Sequence, residues 1–127
     1  MDNIPVLISG MIVGTIIFQT AIVAPSVFTS LSGPDASTFL RKVFPRFFVL
    51  LAVLGGAANA AAIIAGQSAL IAISGATVAL AAIAYGLIPA TNNSRDEGRE
   101  KTFKRLHLAS VMLTLGILAA NLASVAV

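Results

Sequence analysis

Three long stretches of this chain contain no charged residue, and this distribution limits its possible folds more than any other feature. The uncharged stretches cover residues 3–34, 47–94 and 106–127. An α-helix rises about 1.5 Å per residue, so roughly 20 residues cross a hydrocarbon core of about 30 Å. The first and last stretches can each supply one crossing, and the middle stretch can supply two crossings with a turn between them. The sequence therefore predicts four membrane spans.

The composition also favours a membrane protein over a soluble one. Only 10% of the residues are charged, whereas soluble domains carry about 25%. Within lipid, all backbone hydrogen bonds can be formed only in helices or closed barrels. The uncharged stretches are continuously apolar and lack the alternation of polar and apolar residues that barrel strands show. We expect an all-α integral membrane four-helix bundle, a single domain over residues 1–127. The spans are predicted at residues 4–28, 44–65, 68–88 and 103–126. The first exceeds a signal-peptide core and lacks a basic start, so we interpret it as a retained span.

The segment between the first two spans has the pattern of a short amphipathic helix. Ser32-Gly33-Pro34-Asp35 is typical of a turn followed by a helix start, and the apolar positions from Ala36 to Phe44 recur at helical spacing. Arg41 and Lys42 lie between them, which favours a helix at the membrane interface. Because the residue before a proline disfavours helix, the second span is expected to begin at Phe44-Pro45.

The remaining connections are predicted from glycine, proline and capping residues. Gly66-Gln67 is expected to reverse the chain, and the third span is expected to stop near Pro89. Asn92-Asn93-Ser94 is predicted to form a loop. Ser94 and Glu97 fit a capping box, which places the start of the last helix in that loop.

The basic residues predict the orientation in the membrane. All eight Lys and Arg lie in two segments, between spans one and two and between spans three and four. Basic loops remain on the cytoplasmic side, so we expect a multi-pass protein of the cell inner (plasma) membrane with both termini outside. The net charge of +3 and pI near 10.0 suit anionic lipid headgroups better than nucleic acid. The lipid bilayer is therefore the expected partner.

Small residues indicate close helix packing and one possible protein partner. Gly10 and Gly14 are four residues apart in span one, nearly opposite Thr15, Gln19 and Ser26 at about 100° per residue. If the polar stripe faces the bundle interior, the glycine face is free for a homodimer contact. The opposite arrangement, with the glycine face inside the bundle and the polar stripe outside, is equally consistent with the sequence.

Polar residues inside the spans are either interhelical contacts or parts of a ligand site, because an unpaired polar group is costly in lipid. Asn59 and Asn121 are predicted at similar depths, so they could meet across the bundle. We favour an interhelical role for both. The interhelical candidates are Gln19, Asn59, Ser110, Thr114 and Asn121.

His107 is the single histidine and the only side chain whose ordinary pKa is near neutral. It could act as a proton relay, a base or a haem ligand, or it could be an interfacial histidine bonded to a loop carbonyl or to Asp96. With no Cys, one His and no carboxylate inside a span, the chain cannot fill a metal's first shell by itself. We therefore expect no metal and no cofactor. Between an enzyme and a non-enzymatic protein we favour the second.

Two segments resemble a known family. They are residues 23–28 with 39–48, containing Phe44-Pro45-Arg46, and residues 88–98 with 103–111, containing Leu106-His107 followed by Ser110. They resemble the bacterial membrane family known as domain of unknown function 4149, which is similar to the eukaryotic transmembrane-protein-205 group. The resemblance implies a four-helix membrane domain without an established activity. The signature positions it implies are Pro25, Phe44, Pro45, Arg46, Pro89, Asn92, Arg95, Asp96, Phe103, His107 and Ser110.

These positions lead to two functional hypotheses. The first is a protein that binds a small ligand, lipid or protein partner at its cytoplasmic face. Its candidate binding residues are Arg46, Asn92, Arg95, Asp96 and His107. In this first hypothesis, Arg46 and Arg95 neutralise the charge of Asp96 or of an anionic headgroup. The second follows from Pro89-x-x-Asn92 and Leu106-His107, which are loosely similar to the anthrone-oxygenase-like membrane family. That resemblance implies a cofactor-independent enzyme with His107 as base and Asn92 as oxyanion partner. An accessory subunit of a membrane complex is a third possibility.

Overall fold

The computed structural model describes residues 2–127, and all regular structure among them is helical. Four helical rods are each long and apolar enough to cross a membrane: Ile4–Ser30, Gly33–Ala65, Ser68–Asp96 and Glu100–Ala126. The predicted fold class, all-α with four such helices, is confirmed. The first rod consists of α1 (Ile4–Phe18), a π-helical turn (Gln19–Val23) and α2 (Ala24–Ser30). The second rod is α3 (Gly33–Ala65), and the third is α4 (Ser68–Asp96). The fourth rod consists of α5 (Glu100–Leu122) and a 3-10 turn (Ala123–Ala126).

Short turns join the rods into an up-down-up-down bundle. Ser32 caps α3, since its hydroxyl accepts a hydrogen bond from the Asp35 backbone N–H at 3.4 Å. Gly66 ends α3 with φ of 69°, a left-handed conformation that favours glycine. The predicted helix start after Ser32 and the reversal at Gly66-Gln67 are both confirmed.

The two ends of the bundle differ in charge. At one end the Gln67 side chain donates a hydrogen bond from Nε2 to the backbone oxygen of Asp2 at 3.1 Å. At the other end Arg41 of α3 pairs with Asp96 of α4. All eight Lys and Arg belong to the two segments at this second end, residues 41–46 and 95–105. We call it the basic end.

The predicted interfacial helix is not a separate element. Helix α3 runs without a break from Gly33 to Ala65 and contains Pro45. Phe44 stacks on Phe48 with ring centroids 6.2 Å apart, so aromatic packing joins the turns on either side of the proline. Arg46 also donates from Nη1 to the backbone oxygen of Lys42 at 3.1 Å. These contacts offset the hydrogen bond that proline removes from a helix.

The third rod continues past its predicted end at Pro89. Helix α4 extends to Asp96, so residues 92–94 are helical and the predicted loop is wrong. The Ser94 hydroxyl donates to the Ala90 carbonyl at 2.7 Å and the side chain is 1% exposed. Ser94 therefore stabilises the last turns of α4 and does not cap α5. The turn into α5 instead uses Gly98, whose φ is 72°.

The π-helical turn in the first rod has a local cause. Pro25 has no N–H, and its ring would clash with the carbonyl four residues earlier. Just before it the helix widens, and the Ala24 N–H bonds to the Gln19 carbonyl five residues back. Such a turn takes up one extra residue. It rotates everything that follows by about 100° relative to a regular helix.

This rotation decides which residues of the first rod face inward. Gln19 and Val27 are both buried, at 6% exposed each, and Ser26 is exposed. In a regular helix Ser26 would lie within about 20° of Gln19. The predicted polar stripe that joined Thr15, Gln19 and Ser26 is therefore wrong at Ser26.

The core lies where all four rods meet. Its buried apolar members come from every rod, and α3 packs most extensively against α4. The cluster comprises Ile12, Ile16, Phe47, Phe48, Leu51, Ala81, Ala84 and Ile117. Toward the basic end this packing opens into a cavity.

Candidate functional site

A cavity of about 440 Å³ lies between the four rods on the basic side of the core. Every rod contributes to its lining: Gln19 to Phe28, Ser37 to Phe48, Ile88 to Arg95 and Phe103 to Leu115. We call it the four-helix cavity. Its volume is in the range of pockets that hold drug-sized ligands.

Five phenylalanines contribute to the wall of the cavity. Phe44, Phe47 and Phe48 form a cluster in α3, with the Phe47 and Phe48 ring centroids 5.2 Å apart and the planes at 60°. Their spacing of three and four residues puts them on one helix face. Phe28 and Phe103 contribute from the first and fourth rods. The wall can therefore contact an acyl chain or a ring system.

Polar side chains gather at the mouth. The His107 ring is parallel to the Phe103 ring, with an interplanar angle of 8° and centroids 5.8 Å apart. On the same ring, the Arg95 guanidinium carbon lies 5.3 Å from the centroid, a cation–π distance. Phe103 therefore positions both Arg95 and His107, with the half-buried Asn92 beside them in the lining.

An ion pair joins α3 and α4 at the same mouth. Arg41 donates from Nη1 to Asp96 Oδ2 at 3.1 Å and from Nη2 to Oδ1. Both residues lie outside the uncharged stretches and are solvent-accessible. The hydrogen bonds from Arg41 hold the pKa of the Asp96 carboxyl below its ordinary value, and the positive charges of Arg41 and Arg95 add to the effect.

The five predicted binding residues separate into two groups. Asn92, Arg95 and His107 line the cavity. Arg46 does not: it lies on a different groove, lined also by Pro45 and Tyr85. The charge of Asp96 is neutralised by Arg41, and not by Arg46 as expected.

Sequence reasoning missed Arg41 as a site residue. Arg41 lies three residues before Phe44 and seven before Phe48, which is the spacing of one helix face. That periodicity was the signal. The periodicity places Arg41 on the same helix face as Phe48 only if α3 continues through Pro45. The proline instead predicts a helix boundary at that position.

The polar residues predicted between helices have distinct partners. Asn59 donates from Nδ2 to the Ile71 carbonyl at 3.0 Å and to Ser74 Oγ at 3.1 Å. Asn121 donates from Nδ2 to Thr77 Oγ1 at 2.8 Å. Both asparagines therefore bind α4, about one turn apart, and the expected contact between them is replaced by these two.

The other predicted interhelical residues line the cavity. Thr114 donates within its own helix to the Ser110 carbonyl at 2.8 Å. Gln19 is buried, and its Nε2 finds no hydrogen-bond partner among residues 2–127. Gln19, Ser110 and Thr114 all contribute to the lining.

Gly10 and Gly14 lie on the outside of α1. A Cβ at either position would meet no described atom within 4 Å. The face is therefore exposed within a single chain, and a homodimer contact there stays a prediction. Among residues 2–127 no group of three or more His, Asp or Glu is placed to hold a metal ion.

Comparison with known families adds an independent result. No curated protein matches the chain, and no solved structure matches it. The family model for a domain of unknown function, DUF4149, matches residues 7–100. This range covers all but the first three residues of the first rod, the whole of the second and third rods, and most of the cavity lining. The chain therefore belongs to the DUF4149 family.

Proposed function

We propose that this protein binds an anionic amphiphile, a lipid or lipid-like small molecule, in the four-helix cavity at the cytoplasmic face of the inner membrane. The observation that carries the proposal is the combination of an aromatic cavity wall with a mouth that holds Arg41, Arg95 and His107. The activity proposed is binding, with no chemical step.

The charge distribution supports the cytoplasmic placement. All eight Lys and Arg belong to the basic end, and such an asymmetry is typical of the cytoplasmic side of membrane proteins. The cytoplasmic leaflet also carries anionic lipids. A ligand with an acidic headgroup would therefore meet a favourable potential at this mouth.

Arg95 is the best candidate to bind the headgroup. Asp96 largely neutralises Arg41, whereas Arg95 makes no salt bridge among the described residues. Its guanidinium rests on the Phe103 ring and is exposed. An arginine held in this way offers several N–H groups to a phosphate or carboxylate.

The apolar part of the ligand would occupy the aromatic part of the cavity. Arg95 and Ile88 both line it and are seven residues apart in α4, a rise of about 10 Å along the helix. Burial of apolar surface against Phe44, Phe47 and Phe48 would provide most of the contact area. The cavity therefore suits a molecule with one charged end and one apolar end.

Native mass spectrometry of the purified protein in mild detergent tests the proposal. The probes are dioleoyl phosphatidylglycerol, which is anionic, and dioleoyl phosphatidylcholine. We expect preferential retention of phosphatidylglycerol, weakened about tenfold by Arg95→Gln, because a hydrogen bond to a charged group contributes about 1.5–3 kcal/mol.

The matched control is Arg105→Gln, which removes the same charge from the basic end at an exposed position outside the cavity lining. It should leave retention nearly unchanged. Equal retention of both lipids by the wild type, or an equal loss in both variants, would refute a specific site.

A second candidate function is an oxygenase that acts on a polycyclic phenol. The observation in its favour is that His107 and Asn92 adjoin an apolar cavity of about 440 Å³. In this hypothesis His107 takes the phenolic proton and Asn92 stabilises the resulting oxyanion. Oxygen uptake with anthrone as substrate is the test: uptake that is lost in His107→Ala supports an enzyme, and no uptake by the wild type excludes this reaction.

A further inference from the structure

Gln19 is a buried polar side chain whose amide NH₂ has no hydrogen-bond partner in the described part of the chain. It is 6% exposed, and its Nε2 has no hydrogen-bond acceptor among residues 2–127. A buried donor without an acceptor loses its interaction with water and gains nothing in return. Native structures rarely keep such a group without a reason.

The position of Gln19 supplies a reason. Gln19 lines the four-helix cavity and is nine residues from Phe28, which lines it on the same rod. With Phe28 close to the basic end, Gln19 lies at the inner end of the lining, beyond the charged mouth. A polar group there can only meet the apolar body of a ligand.

The backbone at Gln19 is also special. Gln19 is the first residue of the π-helical turn, and the widening before Pro25 keeps both Gln19 and Val27 directed inward. Single π-helical turns within α-helices are frequent at functional sites. This one places a polar side chain in the cavity wall, where Ile12 and Ile16 occupy the equivalent face further from the basic end.

The Gln19 amide can reach a ligand without a large rearrangement. The terminal torsion of a glutamine side chain has a broad energy minimum. A small rotation can therefore turn the NH₂ toward the cavity while the rest of the side chain stays in place. The neighbouring Thr20 is already used, because its hydroxyl donates to the Ile16 carbonyl at 2.8 Å.

We propose that Gln19 donates a hydrogen bond from Nε2 to a carbonyl oxygen within the apolar body of the bound amphiphile. This inference rests on the proposed function and narrows it. The ligand class is an anionic amphiphile that carries an ester or ketone carbonyl behind its headgroup, such as an acyl-ester lipid. An arginine at the mouth selects the charge, and Gln19 selects the internal carbonyl.

A matched pair of lipids tests the inference. Dioleoyl phosphatidylglycerol has ester carbonyls, and its dialkyl ether counterpart has the same headgroup and chains but no carbonyl. Native mass spectrometry with both lipids in competition gives their ratio. Because one hydrogen bond has a modest net effect, we expect the wild type to prefer the ester lipid about two- to tenfold.

The Gln19→Met variant keeps an unbranched side chain of similar size and removes the donor. We expect it to bind both lipids equally, while Gln67→Met, the same change at the opposite end of the bundle, keeps the wild-type preference. Without lipid, Gln19→Met should also raise the Tm, because it removes a buried donor that has no partner.

The outcomes separate the two proposals. A wild type that binds phosphatidylglycerol but treats the ester and ether lipids equally overturns the role of Gln19 and leaves the proposed function standing. So does a Gln19→Met variant that keeps the preference. If the wild type retains neither lipid, both proposals fail. An equal ratio on the wild type overturns the role of Gln19 even if the variant does not fold.

Discussion

Gly55 of α3 and Thr77 of α4 are so close that a Cβ built on Gly55 would lie 2.9 Å from Thr77 Cγ2. Real Cβ atoms do not approach neighbours so closely, so only glycine fits at this crossing. In lipid, helices associate through close packing and polar contacts because the surroundings offer no hydrophobic drive. This contact therefore sets how near the second and third rods can come.

The first prediction concerns this crossing. Gly55→Ala should lower the free energy of unfolding by about 1–3 kcal/mol, since overpacking forces the helices apart or strains the side chains. Gly56→Ala is the control, because a Cβ there meets no described atom within 4 Å and alanine favours helix. Reversible unfolding in mixed micelles measures both. Thr77→Ser, which removes the crowded methyl group, should restore part of the loss, and a Gly55→Ala protein as stable as Gly56→Ala would contradict the packing.

The second prediction concerns the bond between α5 and α4. Asn121 is 2% exposed and donates to Thr77 Oγ1 at 2.8 Å. A double-mutant cycle with Asn121→Ala and Thr77→Val should give a coupling free energy of about 0.5–1.7 kcal/mol, the range found for interhelical hydrogen bonds in membranes. The same cycle with Thr114→Val should give a value near zero, because the Thr114 hydroxyl is bonded within its own helix. Equal couplings in both cycles would count against the bond.

The third prediction concerns pH. The Asp96 carboxyl has a lowered pKa in the folded protein, chiefly because Arg41 donates hydrogen bonds to it. The unfolded chain therefore binds a proton more readily than the folded one. Stabilisation by this pair is complete above the ordinary carboxyl pKa of about 3.9 and is lost as pH falls through the lowered value.

The measurement is the Tm of the wild type and of Asp96→Asn between pH 6 and pH 3. The wild type should have the higher Tm at pH 6, and the difference should shrink toward pH 3. Glu100→Gln serves as control, since Glu100 forms no ion pair among the described residues. A difference that is constant over this range would show that the ion pair is not its source.

The fourth prediction concerns topology. The chain contains no cysteine, so single cysteines can be introduced without a background. Lys42→Cys and Lys101→Cys should react with a membrane-impermeant maleimide from the same side, and Gln67→Cys from the opposite side. Inside-out and right-side-out vesicles provide the comparison. Labelling of positions 42 and 101 from different sides would rule out a bundle whose basic segments share one face.

The fold was largely predictable because its main features are local. The length of an uncharged apolar stretch determines how many helices of membrane length it can supply, and this depends on no tertiary contact. The capping Ser32 and the left-handed Gly66 likewise act through their own backbone. Prolines misled the prediction: Pro45 and Pro89 were expected at helix boundaries, yet both lie inside helices. At Pro45 the contacts of Phe44 with Phe48 and of Arg46 with Lys42 offset the hydrogen bond that proline removes.

The candidate site was predictable only in part. Asn92, Arg95 and His107 were expected together, and the structure places all three on the cavity. The positions of Arg41 and Gln19 on the cavity depend on how a helix accommodates a nearby proline. Arg41 faces the cavity because α3 continues through Pro45, and Gln19 and Val27 are both buried because a π-helical turn rotates the rest of the first rod.

The sequence by itself therefore determined the number of helices, their all-α class and the segregation of basic residues into two connecting segments. Each of these follows from hydropathy and backbone preferences that act over a few turns. Only the tertiary structure decided which arginine meets Asp96, which residues of α4 hold the two asparagines, and that a cavity opens beside His107. Those outcomes depend on how each helix is rotated about its axis, and packing between distant parts of the chain sets that rotation.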